Sequence, residues 1–262
     1  MSTLLERGRR GETLADLGII DMHGHLGRQT FGVPDLSAES LVAAMDRIGV
    51  TSIVVSHTHC LTPGWSDANE QVLAAMREFP GRILGYVRLW PSSAEDVRRE
   101  AERYLNQGFT GVKLHNSVGF GYVSSAYEPA LAMANERRLP VLLHTWGRAE
   151  ELGHARALAA RYPEATFVLA HSGVNGSESI YGQIAREFGN VVLDLCMSIT
   201  LRGMVERLVA AAGVDRIVWG SDATFLSMAH QIGKVLGADL SDEVKRKLLS
   251  GNAQRILGRI QR

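Results

Sequence analysis

GIIDMHGHLG, residues 18–27, is the stretch whose reading decides the fold. Two apolar residues, Ile19 and Ile20, lead into His23 and His25, which stand one residue apart. In a β-strand, residues i and i+2 project to one face, so this segment reads as a strand that aims two imidazoles at one point. Paired imidazoles are good ligands for a divalent metal. A strand ending in such a pair asks for a fold that gathers further ligands from other strand ends.

The same rhythm continues along the chain. Short runs rich in Val, Ile and Leu end near His25, His59, Trp90, His115, His144, His171, Cys196 and Asp222. Between them AESLVAAMDRIG (38–49), SDANEQVLAAMREF (66–79), AEDVRREAERYLNQG (94–108) and EPALAMANERR (128–138) show helical apolar spacing, and several close on glycine. Strand and helix units repeating every ~25 to 35 residues, with near-continuous apolar strands, predict a parallel sheet closed as a (β/α)8 TIM barrel. The strand-to-helix turns lack the GxGxxG or GKS/T signature of an open doubly wound sheet. The expectation is therefore an α/β fold, one domain over residues 1–262 with a short N-terminal extension, 1–17.

Composition narrows the partner. With 262 residues and 45% hydrophobic content the chain can bury one large core. Lys+Arg and Asp+Glu are both 28, which leaves no electrostatic footprint for nucleic acid or an anionic membrane and points to a small-molecule partner. The two cysteines, Cys60 and Cys196, form no spaced thiol motif, which argues against a disulfide framework or a thiolate zinc site and fits a reducing cytoplasm. The start, MSTLLERGRRGETLADLG, is broken by charges too early for a signal peptide, and no run approaches the roughly 18 apolar residues of a membrane span. A soluble, cytoplasmic protein is expected.

In a barrel the C-terminal ends of all strands meet at one face, which carries the active site. His23 and His25 on strand 1, His57 and His59 on strand 2, Lys113 and His115 on strand 4, His144 on strand 5, His171 on strand 6 and Asp222 on strand 8 would converge there. Seven of the nine histidines sit at such ends, a bias that itself argues for a metal-centred site. Strict alternation puts Asp21, His23 and His25 on the inner face, with Ile20, Met22 and Gly24 toward the helices. It also puts Lys113 and His115 inside, His144 after an inward Leu142, His171 after an inward Leu169, and Asp222 after Gly220. Arg88 shares an inner face with Tyr86 and Trp90, a placement suited to bidentate capture of a carboxylate or to a structural ion pair.

These residues together resemble the amidohydrolase superfamily, in particular the amidohydrolase-related branch that includes aminocarboxymuconate semialdehyde decarboxylase and many metal-dependent hydrolases. IDMHGH (20–25), GVKLH (111–115), LPVLLHT (139–145), FVLAHSG (167–173), IVWGSDAT (217–224) and GNAQRILG (251–258) carry the resemblance nearly end to end. It implies His23, His25, His144 and Asp222 as metal ligands and His171 as the histidine beside an attacking water. Asp222 would also serve as the acid/base group, so that Asp222 and His171 are the catalytic pair. One Zn²⁺ per subunit is the implied cofactor, and mixed N and O ligands also admit Mn²⁺, Co²⁺ or Fe²⁺.

Lys113 is open to two readings. In binuclear relatives a strand 4 lysine is carbamylated and bridges two metals, whereas a plain ammonium would face a substrate carboxylate or Asp222. Arg88, Lys113, His115 and His59 make up the expected substrate-binding set. The expected activity is hydrolysis of an ester, lactone or amide of a small carboxylate-bearing molecule by a metal-activated water. The alternative is metal-dependent, non-oxidative decarboxylation, and a non-catalytic binder is the third reading. Relatives are often dimers or larger, so the resemblance also implies a homo-oligomer.

Overall fold

The computed structural model describes residues 3–27, 35–58, 67–116 and 119–261. Eight parallel strands run in sequence order around the sheet: β1 (Ile19–Leu26), β2 (Val50–His57), β3 (Ile83–Arg88), β4 (Gly111–Leu114), β5 (Pro140–Leu143), β6 (Thr166–Leu169), β7 (Val191–Asp194) and β8 (Ile217–Val218). The seam between β8 and β1 is closed by single bonds. The amide of Met22 donates to the carbonyl of Trp219 at 3.0 Å, and that of Asp222 to the carbonyl of His23 at 2.7 Å. The result is the expected barrel.

Helices fill the gaps between strands: α1 (Leu4–Arg9), α2 (Ala38–Ile48), α3 (Ala68–Glu78), α4 (Ala94–Leu105), α5 (Glu128–Glu136), α6 (Ala149–Arg161), α7 (Glu178–Glu187), α8 (Met204–Ala212), α9 (Met228–Gly237), α10 (Asp242–Arg246) and α11 (Asn252–Leu257). Local chemistry sets several of their ends. Ser37, Ser93, Ser227 and Ser241 cap α2, α4, α9 and α10 by accepting backbone N–H groups that have no partner within the helix. Gly49 ends α2 with a φ of 92°, a left-handed conformation that side chains disfavour. The N-terminal α1 is tied down where the amide of Leu4 donates to Asp242 at 2.9 Å.

Two apolar clusters separate inside from outside. One lies between strands and helices and includes Ile53, Val87, Val112, Val141, Phe167, Leu193 and Ile217. The other fills the barrel with Met22, Val54, Tyr86, Leu142, Val168, Val192 and Val218, closed from below by Ala253 and Ile256 of α11. This division bears out the inner placement of Tyr86, with Val87, Val112 and Leu114 outside, and Lys113 reaches inward to His23.

It also corrects two expectations. In β1 the register slips between Asp21 and Gly24, where four residues oppose the three from Ile53 to Val55. This β-bulge lets Met22 and His23 both turn toward the barrel interior, so Ile20 and Met22 join the inner cluster rather than the helix-facing one. Asp21 pairs in register with the outward Ile53 and does not share a face with His23. In β6 the inner residues are Val168 and Ala170, while Leu169 is outside. His171 comes inward through a left-handed backbone, φ 57°, and not by alternation from Leu169.

Candidate metal centre

Strand ends at the barrel mouth bring His23 Nε2, His25 Nε2 and Asp222 Oδ1 together. Asp222 Oδ1 lies 3.2 Å from His25 Nε2 and 3.6 Å from His23 Nε2. Tetrahedral donors around an ion at ~2.1 Å stand about 3.4 Å from one another, so these separations fit three ligands of a shared divalent metal. The three form a candidate metal-holding group, and all are buried or nearly so.

The chemistry of the donors agrees with the spacing. Burial, reinforced by the nearby Lys113 ammonium, pushes His23 well below the usual histidine range and keeps the imidazole neutral, as a ligand must be. Burial pushes the Asp222 carboxyl up, but hydrogen bonding from His25 and the proximity of His23, His25 and His171 outweigh it and hold the group below the usual carboxylate range. Asp222 is thus an anion among imidazoles. Its backbone, like that of His171, is left-handed with φ 55°, the kind of strain that folded structures hold at functional sites.

Each histidine has its second nitrogen engaged. His25 Nδ1 lies 3.2 Å from Ser56 Oγ of β2, and His23 Nδ1 lies 2.7 Å from Asp194 Oδ2 of β7. Lys113 Nζ, buried on β4, donates to His23 Nε2 at 3.2 Å. An ion in this seat would take that lone pair and leave the ammonium beside it.

His144 sits one step away from the triangle. Its Nδ1 is 3.2 Å from His171 Nε2, and its ring stacks on His115 with centroids 3.8 Å apart. Thr145 holds the segment by donating to the carbonyl of Ala170 at 2.5 Å, and the Tyr122 hydroxyl donates to the carbonyl of His144. Trp146 lies flat on His171, ring centroids 5.0 Å apart and planes 17° from parallel. Burial pushes His115 down to about 2, so it too is a neutral ring.

Of the expected substrate-binding set, Lys113 and His115 line this cluster. Arg88 is buried at the end of β3, with its amide accepted by Asn69 and its guanidinium 5.7 Å from the centre of the Trp90 ring. His59 lies outside the described residues. Asp194, Ser56 and Cys196 were not anticipated as parts of the site. Asp194 interrupts the apolar run VVLDLC, and that isolated carboxylate was the available signal.

A second possible ligand group, His23, His171 and Cys196, lies just beneath the first. Cys196 Sγ is 3.0 Å from His23 Nδ1, 3.2 Å from His171 Nδ1 and 2.7 Å from Asp194 Oδ2. Those are hydrogen-bond separations in a fully packed region, and the cluster reads as support for the site above it. A cavity of about 700 Å³ lies elsewhere, between α1, α2 and α9, and touches the centre only through Ala223 and Thr224. It contains no histidine, so side-chain chemistry and not cavity size locates the site.

Comparison with known proteins agrees with this architecture. The amidohydrolase family model, Amidohydro_2, matches residues 20–259, and the chain belongs to that family. No curated protein matches it in sequence. Among solved structures it is similar to 5-carboxyvanillate decarboxylase from Novosphingobium aromaticivorans DSM 12444, complexed with manganese and 4-hydroxy-3-methoxy-5-nitrobenzoic acid. The TM-score is 0.75 at 15% identity, covering 95% of this chain and 98% of the other. It is also similar to a dihydroxybenzoic acid decarboxylase from Polaromonas sp. JS666 with manganese and 2-nitroresorcinol, with TM-score 0.75, 19% identity and coverage of 92% and 97%. A third, 2,6-dihydroxybenzoate decarboxylase from Rhizobium, gives TM-score 0.70 at 14% identity, with coverage of 92% and 98%. Likeness at these identities establishes the shared barrel. Among the described residues no helix is long and apolar enough to cross a membrane.

Proposed function

We propose that this chain is a metal-dependent decarboxylase that removes CO2 from a small aromatic carboxylate. The observation that carries the reading is the triangle of His23 Nε2, His25 Nε2 and Asp222 Oδ1 at the mouth of an amidohydrolase-family barrel. Support for decarboxylation over the hydrolysis expected from sequence comes from the three similar structures named above, a 5-carboxyvanillate decarboxylase and two dihydroxybenzoate decarboxylases, two of the three with manganese. The same support favours Mn²⁺ over Zn²⁺, and a donor set of nitrogen and oxygen admits either.

His23, His25 and Asp222 would hold the ion, with His144 as a further ligand, and a bound divalent ion supplies Lewis-acid charge to a substrate oxygen. Lys113 gives a buried ammonium beside that seat, able to donate to one oxygen of a carboxylate. Arg88 is a second buried cation at a neighbouring strand end. In the reaction the bond between ring carbon and carboxyl carbon breaks and CO2 leaves. The electron pair stays on the ring carbon and becomes its new bond to hydrogen, so a proton must be delivered there. Asp222 and His171 border the seat, and we assign them that work, each first taking up a proton from solvent. His115 is assigned to the substrate pocket, and so is His59, which lies outside the described residues.

The rim suits an aromatic ring. Phe120, Val123, Trp146, Ile199 and Leu201 are the exposed large apolar side chains among the described residues, and all lie in loops that follow β4, β5 or β7. An apolar collar above a charged floor fits a flat molecule whose carboxylate points inward.

The test is product analysis. Protein reconstituted with Mn²⁺ is given 2,6-dihydroxybenzoate, 5-carboxyvanillate and a panel of lactones, esters and amides. Release of CO2 from an aromatic acid is expected. Incorporation of ¹⁸O from solvent into an acid product, with no CO2 from any carboxylate, would assign hydrolysis instead.

A further inference from the structure

Asp194 is fully buried at the end of β7, and its carboxylate has neither a lysine nor an arginine within ion-pairing distance among the described residues. Its Oδ2 lies 2.7 Å from His23 Nδ1 and accepts the Cys196 thiol at 2.7 Å, while its Oδ1 accepts the Cys196 amide at 3.0 Å. A carboxylate accepts hydrogen bonds, so the proton on His23 must sit on Nδ1. That leaves the lone pair on Nε2, the nitrogen that faces His25 and Asp222. Burying a charged group without an ion-pair partner is costly unless positive charge is felt nearby; the Lys113 ammonium beside the far nitrogen of the same imidazole supplies part of it, and an ion in that seat would add to it.

The chain also makes room for this contact. A Cβ on Gly220 would stand 2.3 Å from Asp194 Oδ1 and 2.7 Å from the Cβ of His23. Glycine at 220, in the WGSD run that carries Asp222, lets the segment after β8 pass close behind both side chains. The thiol of Cys196 engages the same oxygen but reaches no atom of the ligand triangle on its metal-facing side.

We infer that Asp194 is a positioning residue of the metal centre: it fixes the tautomer and direction of His23 from across the barrel, and Gly220 provides the space for it. The inference rests on the metal reading of His23, His25 and Asp222. Partners of this kind behind a ligand histidine typically contribute 10–100-fold in metal affinity.

The experiment measures Mn²⁺ and Zn²⁺ affinity by competition with a chromogenic chelator, on the unmodified protein, on Asp194→Asn and on the control Gly153→Ala. Circular dichroism checks that each variant is folded. Asp194→Asn should weaken binding about 10–100-fold, and Gly153→Ala, on α6 with open space around its Cβ, should leave it unchanged. An Asp194→Asn protein that binds metal like the unmodified chain would overturn the role of Asp194 and leave the metal reading intact. Failure of the unmodified chain to bind either metal would overturn both. A second readout needs no variant: ¹⁵N imidazole shifts of His23 should show Nδ1 protonated, and an Nε2–H tautomer contradicts the inference even if the variants do not fold.

Discussion

Nε2 of His171 lies 3.2 Å from Nδ1 of His144, and this contact fixes what each ring can do. His171 Nδ1 is 3.1 Å from the carbonyl of Cys196, which can only accept, so that nitrogen carries the proton. The Nε2 of His171 is then the acceptor and His144 Nδ1 the donor. His144 is left with a lone pair on Nε2, which is the form a ligand needs. Burial keeps both rings below the usual histidine range and therefore neutral.

From that pairing follows a separation of effects. His171→Asn should lower kcat by about 100-fold or more, the scale of a lost proton-transfer group, while metal content stays close to one ion per chain. His144→Ala should lower metal affinity as well as kcat. Metal analysis alongside steady-state kinetics distinguishes the two, and equal metal loss in both variants would contradict the division.

Trp146 covers His171 with a nearly parallel indole at 5.0 Å and leaves part of itself exposed at the mouth. Trp146→Ala should raise KM for an aromatic acid about tenfold, since one base-like stacking contact contributes roughly 1–3 kcal/mol. Trp146→Phe should recover much of the loss. A KM that is the same in all three proteins would remove Trp146 from the substrate wall.

At Gly220 the expected effect is steric. Gly220→Ala places a methyl 2.3 Å from Asp194 Oδ1, so either the strand or the carboxylate must move. Overpacking of this kind costs about 1–3 kcal/mol, which thermal or urea unfolding will read as lower stability. Gly153→Ala is the control, because nothing lies within 4 Å of a Cβ there.

Lys234, which is not one of the proposed ligands, gives a pH signature of its own. Its ammonium donates to the carbonyls of Leu195 at 3.1 Å and Met197 at 2.9 Å, and burial pushes it down to about 8 from the ordinary 10.5. Between those values the unfolded chain holds a proton that the folded chain has released, so stability rises with pH across that window. Lys234→Met removes this contribution. Unfolding measured from pH 7.5 to 10.5 should show a steeper gain for the unmodified protein than for the variant, and parallel curves would refute the shift.

Much of this architecture is legible in the sequence because it depends on repetition. Apolar runs such as VVLDLC and PVLL, spaced by amphipathic helices, can bury both faces only in a parallel sheet covered by helices, and the barrel follows. His23, His25 and Asp222 stand out since polar residues at the ends of apolar strands have few structural uses. What alternation misreads is the β1 bulge, where Met22 and His23 both turn inward because the strand holds an extra residue. A period of two presumes one residue per step and has no signal for a bulge. His171 escapes in the same way, through a backbone angle that only the surrounding fold imposes. Asp194 meets His23 across 171 positions of sequence, a contact that no local pattern encodes.

The central claim is that His23, His25 and Asp222 hold a divalent ion, and elemental analysis tests it most directly. The unmodified protein, stripped with chelator and reloaded with Mn²⁺, should bind one ion per chain after desalting. His25→Ala and Asp222→Ala, folded by circular dichroism, should bind well under a tenth as much at the same free metal concentration. One ion per chain in either variant, with affinity equal to that of the unmodified protein, would contradict the account.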